Sequence, residues 1–219
     1  MIFKQTARIF FFTAVTAAFF LLPVSCSTSK PEITYGFIQL VLYQGETKPV
    51  EQFSFFILPE DEDGLENLDE LYLYHDKDQL RWKLTSSDWV TYTQDEKTWI
   101  GTRSVSVRDG GLPRGVYRAV LVNKGGERGE RDFTFDAEVR FSFPSLEIAD
   151  GNYTITSQWP ANRLVCYDRS GNYITTVESP PLSGRVSQLN LPSSVRTAAL
   201  WAEDPAYFCS AFTNVVAVN

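Results

Sequence analysis

The sequence predicts an all-β protein: an antiparallel β-sandwich followed by a second small β domain. Three observations carry that prediction. Val, Thr, Tyr and Phe recur in short runs whose apolar and polar positions alternate, which is the period of a strand. Clusters of Gly, Pro, Asp and Asn separate the runs. After residue 26, no stretch sustains the apolar spacing of a long helix.

Residues 33–43 open the fold, and residues 52–58 follow, closed by Pro59 and a dense acidic stretch. Short strands are expected at 71–74, 80–85, 89–93 and 99–107. The clearest unit begins at Leu112-Pro113-Arg114-Gly115, a turn that leads into a strand at 116–123; residues 124–128 then reverse the chain into a return strand at 132–135. Alternation places Tyr117, Ala119 and Leu121 on one side and Val116, Val120 and Val122 on the other. This hairpin resembles the last two strands of immunoglobulin-like and fibronectin type III-like domains, where a Pro/Gly turn precedes a tyrosine whose hydroxyl pins the corner. Tyr117 holds the matching place, and the inter-sheet cysteine of antibody domains has no counterpart. The resemblance covers residues 33–137. It implies an immunoglobulin-like sandwich and brings no catalytic residues with it.

At 138–145 the composition changes to a short apolar run closed by Pro144, and Asp150-Gly151 makes a fresh turn, so a boundary is expected near residue 138. The second domain, 138–219, then comprises strands at 153–157, 163–167, 173–177, 185–191, 198–202 and 207–218. The pair 163–167 and 173–177 forms a hairpin around Asp168-Arg169-Ser170-Gly171-Asn172. The competing reading is one structure sharing a core across residue 138.

The amino end has a different character. Lys4 and Arg8 precede a 16-residue apolar run, 9–24, and small residues follow it. That pattern describes an export signal, and the run falls short of the roughly 20 residues that span a bilayer. Leu21-Leu22-Pro23-Val24-Ser25-Cys26 resembles the bacterial lipoprotein signal, in which the cysteine thiol receives lipid and the chain is cut just before it. Pro23 stands where that pattern usually holds Leu, with Leu22 one place further back, as in relaxed versions of the box. The resemblance implies a signal peptide at 1–25, lipidation of Cys26, a tether at 26–32 and attachment to a bacterial membrane on its periplasmic or surface side. Cleavage after Ser27, giving a secreted soluble protein, is the alternative.

Removing residues 1–25 takes away Lys4 and Arg8 and no acid, so the 20 basic and 27 acidic side chains become 18 and 27, a net charge of −9. Nucleic acid is thereby excluded as an expected partner, because binding to phosphates needs a basic stripe. With Cys26 assigned to lipid, Cys166 and Cys209 remain, 43 residues apart. In an oxidising compartment they can form a disulfide that stabilises by about 4 kcal/mol. Two buried free thiols are the other reading.

Four further groups are site candidates. In the acidic stretch 60–70, Gly64 supplies a turn, and Asp61, Asp63 and Glu70 fall at three places of a calcium loop, although Pro59 occupies the first ligand position. Similar stretches join strands in bacterial extracellular sandwich domains, some of which take calcium, and a solvated acidic loop is the simpler reading. Trp82, Trp89 and Trp99, accompanied by Tyr72, Tyr74 and Tyr92, are either a ring surface for sugars or other flat ligands, or inner-face core residues; Trp159 and Trp201 read as core. His75, the only histidine, sits among Asp76 and Asp78 and reads as part of a polar turn. The segment 125–129 is too short for a phosphate loop, and no Gly-x-Ser-x-Gly elbow occurs.

The leading expectation is therefore a non-catalytic envelope lipoprotein, without cofactor, that presents β-sandwich surfaces to a protein partner or serves a structural role. A saccharide or small-ligand binder using the Trp-rich segment 81–99 is the second reading. A metal-dependent hydrolase using acids such as Asp61, Asp63 and Asp76 is the third.

Overall fold

Alternation along the chain produces 16 strands in the computed structural model, which describes residues 29–108 and 111–218. The first eight are β1 (Glu32–Tyr43), β2 (Val50–Glu60), β3 (Leu68–His75), β4 (Leu80–Thr85), β5 (Val90–Gln94), β6 (Lys97–Val105), β7 (Gly115–Asn123) and β8 (Arg128–Phe135). The second eight are β9 (Ser145–Ala149), β10 (Asn152–Thr156), β11 (Ala161–Tyr167), β12 (Tyr173–Glu178), β13 (Ser183–Arg185), β14 (Thr197–Asp204), β15 (Cys209–Phe212) and β16 (Val216–Ala217). Short 3-10 turns are the only helical segments among the described residues, and none of them is long and apolar enough to cross a membrane.

The strands form one large sheet and two small ones. The large sheet runs β12-β11-β14-β15-β1-β2-β6-β5, with β16 added beside β14. The small sheets are β4-β3-β7-β8 and β13-β10-β9. All pairings are antiparallel except β1 with β15, which run parallel in the register Leu40↔Cys209 and Leu42↔Ala211. The predicted all-β, antiparallel sandwich is thus the observed class, and the large sheet takes strands from both sides of residue 138, where a boundary is expected.

Two apolar cores lie on the same face of that sheet. Leu40, Leu42, Phe53, Phe55 and Ile57 of β1 and β2 pack on Leu71, Leu73, Tyr117, Ala119 and Leu121 of the four-stranded sheet. Further along, Leu164, Cys166, Ala198 and Leu200 of β11 and β14 pack on Leu146, Tyr153 and Ile155 of the three-stranded sheet. The register proves that the face is shared: Leu40 lies beside Cys209, Ala211 beside Ala202, and Leu200, two residues from Ala202, beside Leu164. Strand side chains repeat every second residue, so all of these point one way.

The predicted corner is present. Tyr117 is fully buried, and its hydroxyl donates to the Pro113 carbonyl at 2.8 Å. Its ring meets Phe53 edge-on at 5.3 Å and the His75 imidazole at 4.8 Å. Burial raises the Tyr117 hydroxyl pKa above its ordinary value. Beside the corner, Arg114 grips Glu51 through two hydrogen bonds of 2.9 and 3.0 Å, and the Leu112 amide donates to the same carboxylate at 2.8 Å. Burial works to raise the Glu51 pKa, but the hydrogen bonds and charge of Arg114, with the Leu112 amide, outweigh it and hold the value below the ordinary one.

Turn chemistry is local, and most of it follows the sequence. Asp150 and Gly151 both take positive φ, 50° and 73°, in the two-residue turn that joins β9 to β10. Asp168 accepts from the Ser170 and Asn172 amides at 2.8 and 2.9 Å, closing the expected hairpin of β11 and β12. Three expectations need correcting. The 185–191 segment is a strand only at its start and then a 3-10 turn, Val186–Leu189. The 207–218 segment is interrupted by turns on either side of β15. The apolar run at 138–145 forms no strand before Ser145, and β9 (Ser145–Ala149) follows it in a stretch to which the sequence assigns none.

Candidate functional site

Among the described residues, no second sheet lies over the opposite face of the large sheet. Along β1 the odd positions Phe37, Gln39, Val41 and Tyr43 point there, interleaved with the core residues Leu40 and Leu42. Register brings Phe56 beside Phe37, Ser54 beside Gln39, Ser210 beside Val41 and Phe212 beside Tyr43. Trp201 of β14 then lies beside Phe212, while Tyr92 and Trp99 face each other across β5 and β6. These side chains, apart from Trp99, line a trough of about 470 Å³, and Trp99 borders it through its stack on Tyr92.

Rings gather at the two ends of the trough. At one end Tyr92 and Trp99 stack with an interplanar angle of 4° at 6.1 Å, Trp99 meets Phe37 at 5.7 Å, and Tyr92 meets Phe56 edge-on at 5.2 Å. At the other end Tyr43 and Phe212 pack at 6.2 Å, with Trp201 alongside. Phe37 and Tyr43 are six residues apart on one strand, so the ring groups are separated by about 20 Å along it. Between them the floor is polar, made by Gln39, Ser54 and Ser210. Burial raises the Tyr92 hydroxyl pKa, so this ring stays a neutral phenol at physiological pH.

Two guanidinium groups border the rings, and their states differ. Arg163 reaches Glu178 at 2.7 Å, pairs with Glu203, and lies over the Trp201 ring at 5.4 Å. Arg103 lies 6.0 Å from the Phe56 ring centre and, among the described residues, makes no ion pair. Gly101 sits between Trp99 and Arg103 on β6. A Cβ there would strike the Phe55 carbonyl and come within 2.7 Å of the Phe56 Cα, so close pairing of β2 and β6 depends on glycine.

The sequence-predicted residues are divided by this arrangement. Trp82 and Trp89 pack against the larger core, and the Trp82 indole donates to the Ser106 carbonyl at 3.0 Å. None of the three tryptophans lines the trough itself; Trp99 comes nearest, stacked on the lining ring of Tyr92 and against Phe37. Trp159 is buried as expected, its indole bound to the Ser142 carbonyl at 2.9 Å. Trp201 corrects the sequence reading, since it is half-buried on the open face. Phe37, Tyr43, Phe56 and Phe212 were missed altogether. A signal was present: in 37–43 both alternating sets carry large apolar residues, which marks a strand whose two faces are both occupied.

The expected calcium trio is not assembled. Asp61 accepts from the Asp63 amide at 2.9 Å and from the Asn67 side chain at 3.2 Å, which closes the loop on itself. Glu70 instead faces Lys83, with which it pairs, and accepts from the Tyr72 hydroxyl at 2.6 Å; both hydrogen bonds, Lys83 first, hold its pKa down. Asp76 is taken by Arg118 through two hydrogen bonds of 3.0 Å. Among the described residues no group of three or more His, Cys, Asp and Glu is placed to hold a metal ion. His75 is buried, with its Nδ1 3.1 Å from Asp78.

Cys166 and Cys209 are free, buried, and in different cores, so the disulfide reading is corrected. Cys166 pairs with Ala198 and Cys209 with Asp204, six residues further along β14. That offset alone is about 20 Å, against the roughly 7 Å that a disulfide tolerates between Cα atoms. Burial, with a smaller contribution from Asp204, pushes the Cys209 thiol up to about 12. Cys26 lies outside the described residues.

No family model and no curated protein matches the sequence. Among solved structures, the chain is similar to the 47-kilodalton lipoprotein of Treponema pallidum, with 13% identity, a TM-score of 0.43, and coverage of 87% of this chain and 52% of that one. The chain therefore spans about half the length of that lipoprotein. It is also similar to dimeric latent PorU from Porphyromonas gingivalis, with 13% identity, a TM-score of 0.32, and coverage of 87% of this chain and 20% of that one. Likenesses this distant carry no argument, and the all-β class rests on the strands and sheets described above.

Proposed function

We propose that this chain is a non-catalytic lipoprotein of the bacterial cell envelope that binds a ligand along the open face of its large sheet. Acyl chains on Cys26 hold it to a membrane, and residues 26–32 act as the tether. The observation that carries the binding reading is the aromatic trough. Large rings left half-exposed on rigid strands, with polar groups between them, are what amphipathic ligands use. Of the acids suited to metal chemistry, Asp61 closes its own loop and Glu70 and Asp76 are held in ion pairs, which supports binding over hydrolysis.

Two measurements test the reading. Photo-cross-linking of the full chain in its own envelope, with the reactive group at position 39, is expected to capture material that is lost in the Trp99→Ala, Trp201→Ala double variant. Capture that is indifferent to both rings removes the binding reading. For the anchor, Cys26→Ser is expected to move the protein from the detergent phase to the aqueous phase, because several acyl chains bind a membrane essentially permanently. Unchanged partitioning removes the lipoprotein reading.

A further inference from the structure

We infer that the ligand of the trough is an acidic saccharide, a glycan chain that carries carboxylates, with one carboxylate meeting Arg103. The inference rests on the reading of this face as the binding surface and adds the chemical class of what it holds.

Charge supplies the first argument. The chain has 27 acidic side chains against 20 basic ones, yet no Asp or Glu lines the trough. A larger hollow of about 640 Å³, at the start of the fold, is lined by Glu32, Glu60, Asp61, Glu62 and Glu96. At the Arg103 end the trough is thus free of lining carboxylates, whereas at the far end Glu203, beside Ser210, accepts from Gln39 at 3.5 Å. The trough's one lining cation, Arg103, has no carboxylate partner among the described residues, whereas Arg163, which lies over the Trp201 ring, is neutralised by Glu178 and Glu203. A guanidinium offers a planar fork of N–H donors that matches a carboxylate, and the exposed Arg103 is open to an anion of that shape.

Shape and surface chemistry supply the second. A sugar ring has an apolar face of C–H groups and a rim of hydroxyls. The trough answers both, with Phe37 and Tyr92 at one end, the latter backed by Trp99, Trp201 and Phe212 at the other, and Gln39, Ser54 and Ser210 on the floor between. The ring groups stand about 20 Å apart along β1, which suits an extended chain rather than a single small molecule. Arg103 is on β6, on the Trp99 side, so the carboxylate belongs to a residue near that end.

Titration calorimetry on the full chain, held in detergent micelles, distinguishes the outcomes. The probes are a galacturonic-acid oligosaccharide, the galactose oligosaccharide of equal length, and polyglutamate. The acidic oligosaccharide is expected to bind at least about tenfold more tightly than the neutral one, and Arg103→Gln is expected to remove that preference without shifting the melting temperature; tenfold is the least that a lost charge-assisted hydrogen bond yields. Arg103→Lys should recover part of it. Equal binding of the two sugars, unaffected by Arg103→Gln, overturns the acidic ligand while leaving the trough as a binding site. Preferential binding of polyglutamate overturns the saccharide in favour of an acidic protein segment. No binding of the acidic sugar, with cross-linking at position 39 intact, overturns the ligand class alone. Acidic-sugar binding that survives loss of both Trp99 and Trp201 places the sugar elsewhere and overturns this inference together with the reading of the face.

Discussion

The two faces of the large sheet are made from nearly the same residues, yet they have opposite fates. On β1 and β2, Leu40, Leu42, Phe53 and Phe55 are sealed under a second sheet, while their immediate neighbours Phe37, Val41 and Tyr43 remain half-exposed. The inner rings meet others from all sides: Phe53 contacts Tyr117, Phe135 and Trp82 at 5.1 to 6.3 Å. The outer rings meet only neighbours on the same face. The same side chain is therefore a stability element on one face and a contact surface on the other, and the deciding difference is the covering sheet.

Substitutions on the two faces should separate stability from binding, and the largest stability effect belongs inside. Phe53→Ala is expected to cost about 3–5 kcal/mol in denaturant unfolding, since it leaves a cavity that rigid sheets fill only partly. A loss below about 1 kcal/mol would show that the inner face is not the closed core described.

Acid should act next, and again on the inner face. The folded Glu51 pKa lies below its ordinary value of 4.5, so its clamp on Arg114 and Leu112 contributes fully above that pH and is lost as pH falls through the lowered value. Glu51→Gln is expected to lower stability at pH 7 by about 1.5 kcal/mol, the low end for a charged hydrogen bond. The variant should also flatten the acid limb of the stability curve, and an unchanged limb would assign that limb to other carboxylates. Tyr117→Phe keeps the ring and removes only the hydroxyl that pins Pro113, so a loss of about 1 kcal/mol is expected.

The outer face should hardly respond. Trp201→Ala is expected to lower stability by under about 1 kcal/mol while weakening whatever the trough holds. A large stability loss would mean that this face is core in solution, covered by something else. The smallest effect is expected from reductant. With Cys166 and Cys209 free and far apart, the melting temperature should not move, and a drop would restore the disulfide.

Much of this was legible locally. The Asp150-Gly151 turn, the hairpin around Asp168 and the Tyr117 corner all follow from residues within a few positions of one another, because turn geometry is a short-range property. The site was legible only in fragments. Trp99 was singled out, but as a companion of Trp82 and Trp89, which turn inward. Trp201 and Phe212 reach Phe37 and Tyr43 only through the parallel pairing of β15 with β1, across about 170 residues of chain.

The amino-acid sequence by itself determined the acidic balance, most of the strands and turns, and which residues alternate with which, the last three because they depend on backbone preferences and on a period of two. Only the tertiary structure decided which of the two alternating sets is buried, which cysteines are neighbours and which rings share a trough. Those outcomes depend on which strand lies beside which and where a second sheet comes to rest, and pairing over such separations is set by the packing of the whole chain rather than by any stretch of it.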